Sequence, residues 1–406
     1  MSAVEIFERA GVFEPLDRQL GRFFAEGSGA HTETVELLVG WLSRCLREGH
    51  VCLSLFDVAG QARVGDAGEL LPAFPDVDAC FAALRGCPAA TTNGTTERKP
   101  LVLDEKGRLY FHRYFEHEVR LAAALAALDV EPARGHDGDD AADVEPARGH
   151  DGDDAADGDA VEGFDVAEAL KRHFPGAASD DGQRRAAESA LERRFLVISG
   201  GPGTGKTSTV VKILALFVER ALARGRRAPE ILLLAPTGKA AARLGESIDK
   251  ARAGLSTSPE VIEQVQAATS TIHRALGVRP DSGTRFVRYR DNPLPADIVI
   301  VDEASMIDLA LMRHLVEALR PGARLLLLGD RHQLASVEAG SVLAELSEAR
   351  AESGGLAELT KSYRFASDSD IFRLAQAIRE GDSESVASQL ERRPSATAEV
   401  LLQRTS

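Results

Sequence analysis

The chain has 406 residues, 44% of them apolar and 27% charged, with a formal net charge of −15. That length supports two or three domains with cores of their own, and the balance is that of an ordinary globular protein. No run approaches the ~18 uninterrupted apolar residues that a membrane span requires. The charged opening, MSAVEIFERAGVFEPLDRQL, lacks the apolar core of a secretory signal, so the expectation is a cytoplasmic protein without a membrane partner. The acid is concentrated: residues 129–165 hold fourteen acidic residues against Arg134 and Arg148, a local charge of −12, which leaves about −3 for the rest. An acidic total therefore does not exclude a nucleic-acid partner, which needs only a basic groove.

Residues 1–128 predict a small, mainly helical domain. LDRQLGRFFAE, ETVELLVGWLSRCLREGH and FEHEVRLAAALAAL carry apolar residues at helical spacing. VCLSL and KPLVLDEKGRLYFH predict short strands, the second stretch folding as a hairpin at Lys106-Gly107. Cys45, Cys52, Cys80 and Cys87 all fall here, at spacings that fit neither a zinc knuckle nor a redox CxxC. They read as reduced, buried thiols. DVEPARGHDGDDAA at 129–142 is then repeated residue for residue at 143–156. Such acidic sequence cannot bury apolar surface, so 129–163 reads as a disordered linker, its His136 and His150 as copied linker rather than metal ligands.

From residue 164 the pattern changes. FLVIS, ILLLAP, DIVIVDE and RLLLLGD alternate with longer helical segments. Continuous apolar runs separated by crossover helices predict an α/β domain, a parallel sheet with helices on both faces, over 164–358. Residues 359–406 begin a second lobe. In open sheets of this kind the chemistry gathers at the carboxyl ends of the strands.

The strongest motif follows the first of these runs. Gly200, Gly201, Pro202, Gly203, Thr204, Gly205, Lys206 and Thr207 complete the pattern GxxxxGK[ST] between the strand FLVIS and a helix that starts near Ser208. The glycines let the backbone curl so that N–H groups and the helix N-terminus face phosphates. Lys206 brings a positive charge to the β- and γ-phosphates, and the Thr207 hydroxyl suits Mg²⁺. Together these eight residues and Ser208 form the expected ATP site. Ile298-Val299-Ile300-Val301 then delivers Asp302 as a second Mg²⁺ ligand and Glu303 as the base that orients the attacking water. An acidic pair closing a strand is otherwise a solvated strand end. After RLLLL, Gln333 in GDRHQL can hydrogen-bond a γ-phosphate and a neighbouring nucleic-acid path.

These segments resemble the ordered motifs of superfamily 1 helicases that move 5′ to 3′. GGPGTGKTS, APTGKAAARL, STIHRALG, VDEAS, GDRHQL and SYRF follow in the family's order, and RDNPLPADIVIVDEASMIDLALM and SYRFASDSDIFRLAQAIREGD are most like the RecD family. The resemblance implies a RecA-like P-loop fold and a DNA helicase subunit of exodeoxyribonuclease V acting at double-strand ends. It implies ATP and Mg²⁺, single-stranded and duplex-end DNA, and RecB-like and RecC-like partner subunits in a heterotrimer. It implies that the N-terminal domain packs against the RecC-like subunit. It also implies that Gln183 reads the adenine edge and that Arg364 reaches the γ-phosphate. Thr237 and Lys239, with Thr271 and His273, would hold the DNA backbone. RFVRYR (285–290) is either a basic, aromatic ribbon beside that DNA or an exposed hairpin.

The family's last two motifs have no counterpart before Ser406. The expectation is a fragment or the product of an interrupted gene. A truncated assembly subunit that binds ATP without unwinding DNA is the alternative. A kinase or GTPase would need an acceptor site or an NKxD-type base reader, and neither is present.

Overall fold

The computed structural model describes residues 2–65, 67–92, 97–130, 164–176, 181–279, 282–331, 333, 339–340, 342–361 and 369–391. All but the first two residues of the acidic linker, and the SYRF segment, lie outside them. The chain divides into two compact units: Met1–Leu125 with Met306–Glu317 and Ala335–Val342, and Ala126–Ser305 with Ala318–Leu334 and Leu343–Ser406.

In the first unit, α1 (Ala3–Arg9), α2 (Pro15–Ala25) and α3 (Thr32–Arg47) pack around a small sheet. Two glycines set how closely the helices approach. A Cβ on Gly21 would lie 2.5 Å from the Glu36 carbonyl oxygen, and one on Gly40 would meet the Phe13 ring at 2.9 Å. Asp17 is fully buried on α2, where it accepts from the Ser43 hydroxyl at 2.6 Å and pairs with Arg47 at 2.5 Å. A buried carboxylate is tolerated when it is satisfied in this way. Phe7, Phe13, Trp41 and Phe74 make a cluster of tilted and edge-on rings.

The strands are β1 (Leu53–Ser54), β2 (Ala90–Thr91), β3 (Leu101–Leu103) and β4 (Arg108–Phe111), in the order β1-β4-β3-β2. The β3–β4 hairpin forms where the sequence predicts it. The Asp104 carboxylate accepts from the backbone N–H groups of Lys106 and Arg108, and Gly107 takes φ 72°. The short helices α4 (Leu55–Val58) and α5 (Val77–Arg85) and the long α6 (His112–Val130) complete this part. None of the four cysteines is in a disulfide; Cys45, Cys80 and Cys87 are buried as expected while Cys52 is half-buried, and burial pushes Cys45 up to about 12 and Cys80 up to about 11.

The unit boundary is not the single cut drawn from sequence, because 306–317 groups with the N-terminal residues. Within this unit, Glu317 accepts from Arg120 of α6 at 2.7 and 3.0 Å and from Arg313 at 2.8 Å. The His117 and His314 rings stand 6.3 Å apart, and burial, with Arg313 beside them, pushes both down to about 4.

The second unit takes in the last residues of α6, from Ala126, and then α7 (Val166–His173) and α8 (Gly182–Glu192). Six parallel strands follow: β5 (Phe195–Gly200), β6 (Ile231–Ala235), β7 (Ala267–Thr271), β10 (Ile298–Val301), β11 (Arg324–Gly329) and β12 (Leu356–Leu359). Their order is β12-β5-β11-β10-β6-β7, and every pairing between neighbours is parallel. The three central strands β5, β11 and β10 are buried along their whole length, as strands covered on both faces must be. The two outermost strands were not foreseen. Ala267–Thr271 (AATST) and Leu356–Leu359 (LAEL) lack a continuous apolar run because only one neighbour strand covers each.

Helices α9 (Lys206–Ala223), α10 (Gly238–Arg252), α11 (Pro259–Gln264) and α12 (Ile272–Leu276) connect the strands, with β8 (Val278–Arg279) and β9 (Ser282–Phe286) forming a separate antiparallel ribbon. Helix α13 (Leu309–Glu317) carries the residues 309–317 just described, and α14 (Val342–Glu352), α15 (Asp370–Glu380) and α16 (Ser383–Glu391) follow. The architecture is the parallel α/β sheet with a mainly helical leading domain that the sequence implies.

Candidate functional site

Strand β5 ends in a loop that only glycines can make. Gly203 and Gly205 take φ 82° and 81°, and Gly205 is the left-handed N-cap of α9. Gly200 has no room for a side chain, since a Cβ would lie 2.6 Å from the Thr204 hydroxyl and 3.0 Å from Leu359. The Thr204 hydroxyl donates to the Gly201 carbonyl at 2.9 Å and fixes the curl from inside. The Lys206 ammonium folds over the loop and donates to the carbonyls of Gly200 and Gly201. Thr207 and Ser208 occupy the first turn of an eighteen-residue helix, where the positive end of the dipole faces outward. Pro202 is the exposed crest of the loop.

Asp302 follows directly on β10. Burial holds its carboxyl above the usual aspartate range, while the Glu303 N–H bonded to it and the nearby Lys206 ammonium pull it down. The N–H of Glu303 donates to Asp302 Oδ1 at 2.9 Å. Lys206 and Asp302, 96 positions apart in sequence, thus feel each other's charge at one end of one sheet, although β11 separates their strands. A partly buried carboxylate is a hard oxygen donor of the kind that small divalent cations take. Glu303 is exposed and has φ 53°, the non-glycine positive-φ position among the described residues. A glutamate in the left-handed region is strained, by about 1–3 kcal/mol, a local feature that the sequence does not display.

Gln333 lies exposed beyond β11, in a turn whose closing bond is its own N–H to the Asp330 carbonyl at 3.0 Å. Gly329, at the strand end, has Leu343 Cδ2 at 2.3 Å from where a Cβ would stand. Gln183 sits in the first turn of α8, and its side-chain amide donates to the Thr204 carbonyl at 3.1 Å. The structure therefore brings it to the phosphate loop. Arg364 lies outside the described residues.

Two further strand ends carry the expected DNA contacts. Thr237 caps α10 by accepting from the Ala240 N–H at 3.2 Å, and Thr271 caps α12 by accepting from the Arg274 N–H at 3.2 Å. Their strands pair Ala235 with Thr271, so the two caps are neighbours. Lys239 and His273 are exposed beside them. The 285–290 stretch leaves β9 and folds back, with the N–H of Val287 and Arg288 donating to the carbonyls of Gly277 and Leu276. The Phe286 ring stands 6.0 Å from that of His273. The stretch is an exposed hairpin extension and also a neighbour of the α12 cap.

Sequence reasoning missed Ser199, Arg331 and Glu358, which meet around the turn carrying Gln333. No periodicity or motif links residues so far apart along the chain.

Residues 178–397 match the AAA domain family, and residues 9–110 match the N-terminal domain of RecBCD enzyme subunit RecD. RecBCD enzyme subunit RecD of Mycolicibacterium smegmatis is 40% identical over 389 residues, covering 95% of this chain and 61% of that protein. The chain belongs to the RecD family. The Mycobacterium tuberculosis RecD is 38% identical, over 94% of this chain and 59% of its own. The ATP-dependent RecD2 DNA helicase of Deinococcus radiodurans is 33% identical over 68% of this chain and 31% of its own length. The chain thus spans about three fifths of the first two relatives. The phosphate loop and the acidic pair both fall within the AAA match, a nucleotide-binding domain. Among the described residues no helix is long and apolar enough to cross a membrane.

Proposed function

We propose that the chain is the ATP-driven motor part of a RecD-like helicase subunit, drawing single-stranded DNA 5′ to 3′ within a RecBCD-type helicase–nuclease. It would work in the cytoplasm at duplex ends, beside RecB-like and RecC-like subunits, in recombinational repair. The observation that supports this reading is the placement of the glycine loop with Lys206 after β5 and of Asp302 after β10, at the carboxyl ends of two strands of one parallel sheet.

The chain's own groups divide the work. Backbone N–H groups of the loop and the α9 N-terminus hold the triphosphate of ATP, and Lys206 exchanges its loop carbonyls for β- and γ-phosphate oxygens. Thr207 and Asp302 would hold Mg²⁺, which when bound neutralises charge developing on the phosphates. Glu303 orients water for in-line attack, and Gln333 and Arg364 answer to the γ-phosphate. Gln183 steadies the loop through Thr204. Thr237, Lys239, Thr271 and His273 would meet the DNA backbone without reading sequence.

Glu303→Gln tests the reading. It is expected to keep ATP binding and to lower DNA-stimulated turnover by about 10²–10³-fold, measured as phosphate release and as binding of a fluorescent ATP analogue. A turnover rate equal to wild type in that variant overturns the role given to Glu303, and a wild type that turns over no ATP with DNA present leaves the assembly-subunit reading in its place.

A further inference from the structure

The turn that carries Gln333 is held from three sides. Asp330 is buried, 5% exposed, at its start. The Arg331 N–H donates to the hydroxyl of Ser199, itself buried on β5, at 3.4 Å. The Arg331 guanidinium reaches Glu358 of β12 at 2.9 Å. Strand order makes the reach notable. β5 lies between β11 and β12, with Ser199 in register with Gly329 on one side and Glu358 on the other. The arginine therefore crosses the end of the phosphate-loop strand to join its two neighbours.

The far anchor is itself fixed. The Glu358 carbonyl oxygen lies 2.5 Å from where a Cβ on Gly182 would stand, so β12 is pressed against the start of α8, one residue before Gln183. Because Gln333 closes the turn on Asp330, and Arg331 is the second residue of that turn, whatever fixes Arg331 fixes the direction in which Gln333 projects.

We propose that Arg331 and Glu358 are positioning residues that aim Gln333 over the phosphate loop and tie its movement to β12. The proposal rests on the reading of Gln333 as the side chain that answers to the γ-phosphate. The pair is 34% and 42% exposed, and pairs so exposed add little to stability. Its value is therefore geometric. Misplacing a reacting or sensing group by about an ångström is costly to rate even when binding survives.

The experiment uses the full chain with Glu358→Gln, Arg331→Met and the charge swap Arg331→Glu with Glu358→Arg. Three quantities are read: kcat and KM for ATP, hydrogen exchange of the 329–333 amides, and thermal midpoint. Each single variant is expected to lower kcat about 10-fold with KM within about 2-fold, to speed exchange at 329–333, and to leave the midpoint unmoved. The swap should restore kcat and exchange. Wild-type kcat and exchange in the single variants overturn the proposal, as does a swap that fails to restore them. If the wild type turns over no ATP, the functional reading of the site fails, and exchange alone decides the clasp. Faster exchange in Glu358→Gln, reversed by the swap, then supports it, and unchanged exchange overturns it.

Discussion

The carboxyl ends of one sheet hold two groups of residues, those proposed for ATP and those proposed for DNA, and the groups differ in burial. At the centre, β5, β11 and β10 are covered on both faces, and two carboxylates at their ends are drawn away from water: Asp330 is 5% exposed, and burial lifts the carboxyl of Asp302. Toward the β7 edge, Thr237, two residues past β6, and Thr271, the last residue of β7, are helix caps with exposed Lys239 and His273 beside them. In the centre each charge acts strongly over short distance, as phosphate chemistry requires. At the edge charges are hydrated and weak one by one, which is what the DNA contacts proposed above would need.

The largest expected effect lies in the centre. Lys206→Ala should lower ATP turnover by at least about 100-fold while DNA affinity, measured by fluorescence anisotropy without nucleotide, stays within about 2-fold. A comparable loss at both ends would erase the distinction. Lys239→Ala sharpens it from the other side. DNA affinity should fall about 3–10-fold and the salt slope by about one unit, with affinity for a fluorescent ATP analogue unchanged.

The smallest effect is on stability. Burial raises the carboxyl of Asp302 above its ordinary 3.8. Between 3.8 and the raised value the folded chain keeps a proton that the unfolded chain has released, so stability falls as pH rises through that window. At pH 7 the ionised group is a cost. Asp302→Asn, without metal or nucleotide, should raise the thermal midpoint by about 2–4 °C for each kcal/mol relieved. The gain should vanish below the ordinary aspartate range, where Asp302 is protonated in both states. Equal midpoints at pH 7 would place the carboxylate in a wetter setting than the centre of the sheet.

The position of the glycine loop and of the acidic pair at strand ends was legible because its signals are local. A loop of glycines before Lys206, or an apolar strand ending in Asp302-Glu303, states its chemistry within a few residues. β7 and β12 were not legible, since a strand with one neighbour needs no continuous apolar run. Nor was the discontinuous first unit, because the Arg120–Glu317 pair joins helices far apart in the chain. Arg331, Ser199 and Glu358 were invisible for the same reason: strand order, which no linear pattern displays, brings them together. The role of Gln183 was read from family likeness, and its bond to the Thr204 carbonyl adds a structural reason for a glutamine there.

The backbone at Glu303 limits which residues could replace it. Its φ of 53° suits glycine best, but glycine would remove the acid. Aspartate and asparagine tolerate such a twist better than most side chains. Yet aspartate would draw the carboxylate back by one methylene, and asparagine would remove its negative charge. No other standard side chain offers an acid at the same reach, so if Glu303 is the base proposed above, the twist of this peptide must be kept for the sake of its carboxylate.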